Sequence, residues 1–419
     1  MMERQLSLSD IVNDGLQALR ELSKTERAFH IFWLLGPLIM LIERSPADIW
    51  ITALSLAFLV RACCQKQSDW LSVFWVRAAF AFWFACLFSS ALSSDPLYSL
   101  GEAFVWMRFP IFAIATAFWL GKDKRLLYLM FLTTLAGLII MCLILSAELL
   151  IEGQKNGRLL WPYDDLVPGN YLAKVGLPVF VVLVALAVSE KGKIAVGSGA
   201  LALISMIISV MAGERINFLI RACSGMLAAI AWQPNWRRVV ILICSAIFSI
   251  SLVFVTQPDV GNRFVSNFID QLPTGEHSGY FRVLKPAIAA FESSPLTGIG
   301  TGNLRNMCPV FVTPENMRDC HPHPHNYYVQ LAGETGFLGL TTGVIFIFSI
   351  IWSCLRVSIK NRQNVIVATS WIIPFGLFWP ITSTADFFGQ WNNIFVWSAV
   401  ALSLSAVNII KSDSGHNTP

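Results

Sequence analysis

CHPHPHNYYVQLAGETGFLGL, Cys320 to Leu340, sets three histidines at the end of a polar stretch, immediately before a new apolar run. His321, His323 and His325 alternate with Pro322 and Pro324. Each proline fixes its own φ and pushes the residue before it toward an extended conformation, so the imidazoles are expected on a stiff, non-helical strap. The strap ends at Asn326, and from Tyr327 to Leu355 the chain is apolar. Gly333, Gly336 and Gly339 thin one side of the incoming helix, so other backbone can pack closely there. A polar strap feeding straight into an apolar helix belongs at a membrane surface.

The rest of the chain agrees with that solvent. With 55% hydrophobic and 13% charged residues and a mean hydropathy of +0.61, the chain has too little polar surface for a soluble globule. About 20 helical residues cross a hydrocarbon core of roughly 30 Å. Apolar stretches approaching that length run over 28–43, 46–62, 70–92, 98–120, 126–151, 170–189, 194–211, 216–232, 239–256, 327–355, 365–380 and 392–410. The expectation is an all-α, polytopic membrane protein with about 12 transmembrane helices and one long loop carrying short helices.

Basic residues orient it. With the N terminus in the cytoplasm, the inside segments hold Arg4, Arg20, Lys24, Arg27, Arg61, Lys66, Lys122, Lys124, Arg125, Lys191, Lys193, Arg237, Arg238, Arg356, Lys360, Arg362 and Lys411, while the short outside loops hold Arg44, Lys155, Arg158 and Arg215. Positive-inside insertion then puts both termini in the cytoplasm and residues 257–326 outside. The divisions are a cytoplasmic amphipathic segment at 1–27, nine helices over 28–256, the loop 257–326, three helices over 327–410 and a tail at 411–419, expected to be disordered. Residues 1–27 lack the apolar core of a signal peptide. A formal charge of +4 needs no nucleic acid to explain it.

Of nine cysteines, only Cys308 and Cys320 fall outside. In an oxidising compartment a disulfide between them is one expectation; Cys320 and the histidines as metal ligands is the competing one. The strap lacks the i, i+4 histidine spacing of helical zinc sites and contains no acidic partner, so no metal or other cofactor is expected. No phosphate-binding GxxxxGK[ST] loop occurs, and GIGTG at 298–302 reads as a turn. Whatever happens outside draws on a lipid-linked substrate or a gradient.

Ionisable residues within apolar spans mark sites by default. Arg77, Arg108, Lys174 and Arg221 are the basic ones. Lys174 and Arg221 lie near the outside surface, where a long side chain can snorkel. Arg108 is deeper, with Glu102 one and a half turns away, so an internal ion pair competes with a substrate role. Arg215, in the tight hairpin AGERIN, and Arg282, in FRVLKPAIAAF, carry the guanidinium shape that grips a phosphate. Against that stand a surface pair with Glu214 or a lipid headgroup for Arg215, and a solvated helix face for Arg282.

Twelve spans, an external hairpin arginine, a large late loop with an internal arginine, and the block PHNYYVQLAGETGFLG from Pro324 to Gly339 resemble the O-antigen ligase and polymerase superfamily of bacterial envelopes. The resemblance is specific in that block and architectural elsewhere. It implies a membrane glycosyltransferase of the GT-C type in the bacterial inner membrane. Such an enzyme transfers a glycan from undecaprenyl diphosphate at the periplasmic face, without nucleotide or metal. It implies that Arg215 and Arg282 bind the donor diphosphate and that His325 is the base or orients the acceptor. The HPHPH repeat leaves His323 as the alternative to His325. Arg108, Lys174, Arg221 and Glu334 are supporting candidates, Glu334 by orienting the strap or pairing with a basic residue. The acceptor would be a lipid A-core sugar for a ligase or a growing glycan for a polymerase, and the single compact loop ending in the histidines favours the ligase. The chemistry agrees, since displacing a lipid diphosphate by a sugar hydroxyl needs cations on the departing charge and a base on the incoming hydroxyl. A polysaccharide or lipid transporter would instead show two matched halves, and a metal-dependent hydrolase would use the histidines as ligands.

Overall fold

In a computed structural model the described residues are 7–165, 167–265, 278–313, 320–380 and 385–415. Arg4 and parts of the expected loop and tail lie outside them. The described residues form helices and no strand. α1 (Leu8–Glu21), α2 (Lys24–Leu34) and α3 (Gly36–Ile39) open the chain, followed by α4 (Arg44–Cys64), α5 (Phe74–Ala91), α6 (Pro96–Trp106), α7 (Arg108–Ala115) and α8 (Lys124–Ile151). Next come α9 (Val167–Asn170), α10 (Leu177–Ser189), α11 (Gly192–Met211), α12 (Arg215–Ala231) and α13 (Trp236–Thr256). The loop region contributes α14 (Pro258–Phe264), α15 (Gly279–Ser293) and α16 (Leu304–Met307). α17 (Tyr327–Lys360), α18 (Val365–Thr369), α19 (Ile372–Leu377) and α20 (Gln390–Gly415) complete it.

Among the described residues eight helices are long and apolar enough to cross a membrane, and nine if Val167–Ser189, bent by 55°, is one span. The expected twelve are therefore not all continuous helices. The stretch 28–43 breaks at Leu35 before Gly36-Pro37, 216–232 is the 17-residue α12 with a buried arginine, and 365–380 divides into α18 and α19 around Ser370, with Pro374 beyond. Proline cannot donate to the ladder and crowds the preceding turn, which explains the first break; hydropathy alone does not register it. The tail also differs, because α20 continues to Gly415.

The bundle is built round α20, where 89% of the spanning window is buried, against 6% for α13 at the periphery. Trp397 on α20 meets Phe346 of α17 at 5.7 Å and Trp106 of α6 at 6.0 Å. Phe82 of α5 stands edge-on to the Trp106 ring at 5.3 Å. Aromatics of this size contribute the largest buried areas and fix helix positions by ring geometry. α1 packs against α8, with Gly15 under Leu129, while Leu8, Val12 and Leu16 stay exposed.

Two of the breaks inside the bundle shape the surroundings of the site. α17 leaves helical geometry at Gly336, with φ 64° and ψ −166°. There the Phe337 N–H donates to the Pro295 carbonyl at 2.8 Å and the Ile299 N–H to the Gly333 carbonyl at 3.1 Å. A Cβ on Gly336 would stand 2.5 Å from the Leu296 carbonyl carbon, so only glycine fits. Gly333 faces the Ala287 carbonyl of α15, but Gly339 lies under the Thr335 side chain of its own helix. The second break is a π-helical turn, Tyr171–Val175, between α9 and α10.

Candidate functional site: a polar cleft beneath the histidine strap

Residues 320–326 are non-helical, and Asn326 caps α17 by accepting from the Tyr328 and Val329 N–H groups at 3.0 and 3.1 Å. His325 adopts φ 54°, in the left-handed region, and its ring lies 4.4 Å from that of His323. Cys320, directly before His321, is joined to Cys308 by a disulfide with Cα atoms 5.6 Å apart. That bond ties the strap to the buried end of α16.

Beneath the strap is a cleft of about 460 Å³ walled by the N-terminal end of α4, the α6–α7 junction, Arg305, His323, residues 385–389 and the start of α20. Of the three histidines, His323 lines it. Its Nε2 is buried with no hydrogen-bond partner among the described residues. Burial first, and the neighbouring His325 second, hold this imidazole well below the ordinary histidine range. Asp386 pulls in the opposite direction.

Three guanidiniums share the cleft. Arg305 donates to Asp386 Oδ2 at 2.9 Å, and Arg44 donates to Gln390 Oε1 at 2.7 Å. Arg108 pairs with Asp48 at 2.9 Å and lies over the Phe109 ring at 4.5 Å. Its expected pairing with Glu102 is thus replaced: the break at Met107 between α6 and α7 turns the side chain toward α4. Glu102 remains on the cleft wall.

Arg215 and Arg282 are not among the residues that wall this cleft. Arg215 begins α12, where the hairpin collects charge around Glu214. Arg158 pairs with Glu214 at 3.2 Å, and Arg263 donates to the Gly213 carbonyl at 2.7 Å. Burial pushes the Glu214 carboxyl up, while Arg158, Lys174 and Arg215 pull it back. Lys174 links this cluster to the cleft: its Nζ bonds Asn170 Oδ1 at 2.9 Å and also Asn392 Oδ1. Asn392 lies on the cleft wall and donates to Tyr327 at 2.6 Å. Arg282 is in the first turn of α15, which packs on the first half of α17.

Neither Lys174 nor Arg221 snorkels, contrary to expectation; they are 6% and 0% exposed. Arg221 donates to the Leu172 carbonyl at 2.5 Å and Ser205 Oγ at 2.7 Å, and stacks on Phe180 at 4.0 Å. It binds a carbonyl in the π-helical turn through one amino group and Ser205 through the other, while its buried Nε has no hydrogen-bond partner among the described residues, and a guanidinium held against backbone in this way is structural. Among the described residues Glu334 likewise meets neither strap nor basic residue. Its carboxylate accepts from the Gly302 and Leu304 N–H groups at 2.9 and 3.2 Å, anchoring the GIGTG turn. Among the described residues no group of three or more His, Cys, Asp or Glu side chains is arranged to hold a metal.

Sequence reasoning missed Asp386, Arg305 and Asn392. Asp386 interrupts an apolar context just before the last span, a signal that the rule on ionisable groups near membrane segments could have raised. Arg305 follows GIGTG without any distinguishing pattern.

Together these features define a polytopic, all-helical membrane protein with a histidine- and arginine-lined cleft at the ends of its spans. Residues 199–344 match the family model described as O-antigen ligase, which bears out the resemblance to the O-antigen ligase and polymerase superfamily. The matched stretch contains Arg215, Arg282, Arg305, the strap and Glu334 but not Asp386. No curated protein sequence matches the chain. A solved structure described as "Structural coordination of polymerization and crosslinking by a peptidoglycan synthase complex" is similar at 13% identity, covering 80% of this chain and 96% of that one, with a TM-score of 0.47.

Proposed function

We propose that this protein is an O-antigen ligase-like glycosyltransferase of a bacterial inner membrane. It moves a glycan from undecaprenyl diphosphate to a lipid A-core sugar on the periplasmic side, where residues 257–326 lie. The observation that carries the reading is one cleft holding an imidazole whose Nε2 has no hydrogen-bond partner among the described residues, together with three guanidiniums, and linked to a second cationic cluster through Asn392. In the reaction the acceptor hydroxyl attacks the anomeric carbon, the bond from that carbon to the diphosphate oxygen breaks, and the hydroxyl proton passes to a base. His323 is the base that touches the cleft, with His325 packed behind it. A lowered imidazole affinity for protons keeps it free to accept one. Arg215, with Arg158, Arg263 and Lys174 around the same hairpin, and Arg282 are proposed to take the departing diphosphate charge. Such a scheme draws on no metal.

The test is the lipopolysaccharide banding pattern of a strain lacking this chain. Rough lipopolysaccharide with accumulated long lipid-linked polymer is expected; core carrying one repeat unit would replace the ligase with a polymerase, and an unchanged pattern would remove both. A periplasm-dependent reporter fused after Gly275, a residue outside the described ones, checks the orientation. Inactivity there would move the cleft to the other side.

A further inference from the structure

Asp386 lies beyond the family match, which ends at residue 344, yet it stands on the wall of the cleft. Of the roughly four lone-pair sites a carboxylate offers, three are taken. Oδ1 accepts from Gln330 Nε2 at 2.6 Å and from the Phe388 N–H at 2.9 Å. Oδ2 accepts from Arg305 at 2.9 Å. The remaining site on Oδ2 has no partner among the described residues. Gln330 is itself held, because its Oε1 accepts from the Phe387 N–H at 2.8 Å. The carboxylate is therefore fixed in orientation before anything enters, with its side chain 11% exposed.

The same wall carries His323 and the aromatic rings of Trp106, Phe388 and Trp391. A carboxylate with an open acceptor position beside aromatic surfaces suits a sugar, whose hydroxyls donate to the acid and whose C–H groups lie against the rings. Arg305 adds donors for the ring oxygens.

Building on the transfer reading above, we propose that Asp386 reads the acceptor. Its open Oδ2 site takes a hydrogen bond from the hydroxyl adjacent to the one being glycosylated, while the reacting hydroxyl lies toward His323. The ligand is thus a terminal sugar with two neighbouring free hydroxyls, and Asp386 determines specificity for that pair.

The experiment measures transfer by the detergent-purified full chain, using lipid-linked glycan and lipopolysaccharide extracted from a strain lacking it. Asp386→Asn is expected to raise the acceptor KM about 10- to 100-fold, the worth of one hydrogen bond to a charged group, with donor KM and kcat nearly unchanged. A fall in kcat at unchanged acceptor KM, or an equal rise in both KM values, would show Asp386 to be only a brace for Arg305 and overturn the proposal. A wild-type measurement covers failure of the variant to fold. Methyl glucoside and methyl galactoside are tested as competitors of the acceptor beside their monodeoxy forms. Loss of competition on removing one of two adjacent hydroxyls supports the assignment; equal competition by every deoxy form, or none by the parents, overturns it. Absence of any transfer by the wild type would instead defeat the transfer reading itself.

Discussion

The interior breaks and the cleft both hold ionisable side chains away from bulk water, but they use them in opposite ways. At the π-helical turn the Arg221 guanidinium binds the Leu172 carbonyl; at the Gly336 break the Glu334 carboxylate receives the Gly302 and Leu304 N–H groups. In each case the sign of the charge matches the backbone group it catches, cation to carbonyl and anion to amide. Under the strap the opposite holds: His323 Nε2 lacks a hydrogen-bond partner, and Asp386 keeps one position open among the described residues. Burial of a charge therefore does not by itself mark a reactive site. What separates the two regions is where the open positions face: Arg221 and Glu334 are held against backbone in the interior, with only Arg221 Nε left over there among the described residues, whereas His323 and Asp386 stand with theirs on the wall of a cleft a ligand can enter.

The largest effect that could break this contrast concerns Arg221. Arg221→Ala should cost about 3 to 5 kcal/mol, because it leaves a cavity beside Phe180 and strands the Leu172 carbonyl. Thermal unfolding in detergent checks it, and an unchanged melting temperature would make Arg221 a candidate for chemistry after all. Glu334→Gln should behave alike but more mildly, at about 1 to 3 kcal/mol, since an amide presents one acceptor where two amides need catching.

His323→Ala should do the reverse, lowering transfer about 100- to 10,000-fold while leaving the melting temperature close to wild type. His325→Ala should cost less, because that ring supports His323 and does not line the cleft. A ranking in which His325 dominates would return the base to the position that the motif resemblance favours.

The smallest effect sharpens the comparison through pH. The His323 imidazole is held below the ordinary value of about 6.5, so it stays neutral and able to accept a proton at pH values where an ordinary histidine is charged. The acid limb of the transfer rate should therefore fall below pH of about 6.5. Stability follows the same sign: the unfolded chain binds the proton more readily, so this group's contribution is present above about 6.5 and is lost as pH falls toward the folded value. Asp386→Asn removes the carboxylate that raises the His323 value, so the limb should move further acid. A limb at or above the ordinary histidine value would contradict the assignment of His323 as base.

The sequence by itself determined the solvent, the all-helical class and the strap, because these rest on local properties: apolar run length, proline at alternating positions, and the PHN block that carries the family resemblance. It also determined that glycine was needed near Gly333 and Gly336, though not what would approach them. Only the tertiary structure decided the rest. Arg108 turned to Asp48 and not to the nearer Glu102 because a helix break redirected it. Arg305 and Asp386, 81 residues apart in the chain, met at one cleft. Hydropathy counts apolar residues but does not sense a bent or interrupted helix, so spans expected at 28–43 and 365–380 became short broken segments. Which charges are consumed by backbone and which remain open is a property of partners distant in sequence, and packing is what brings those partners together.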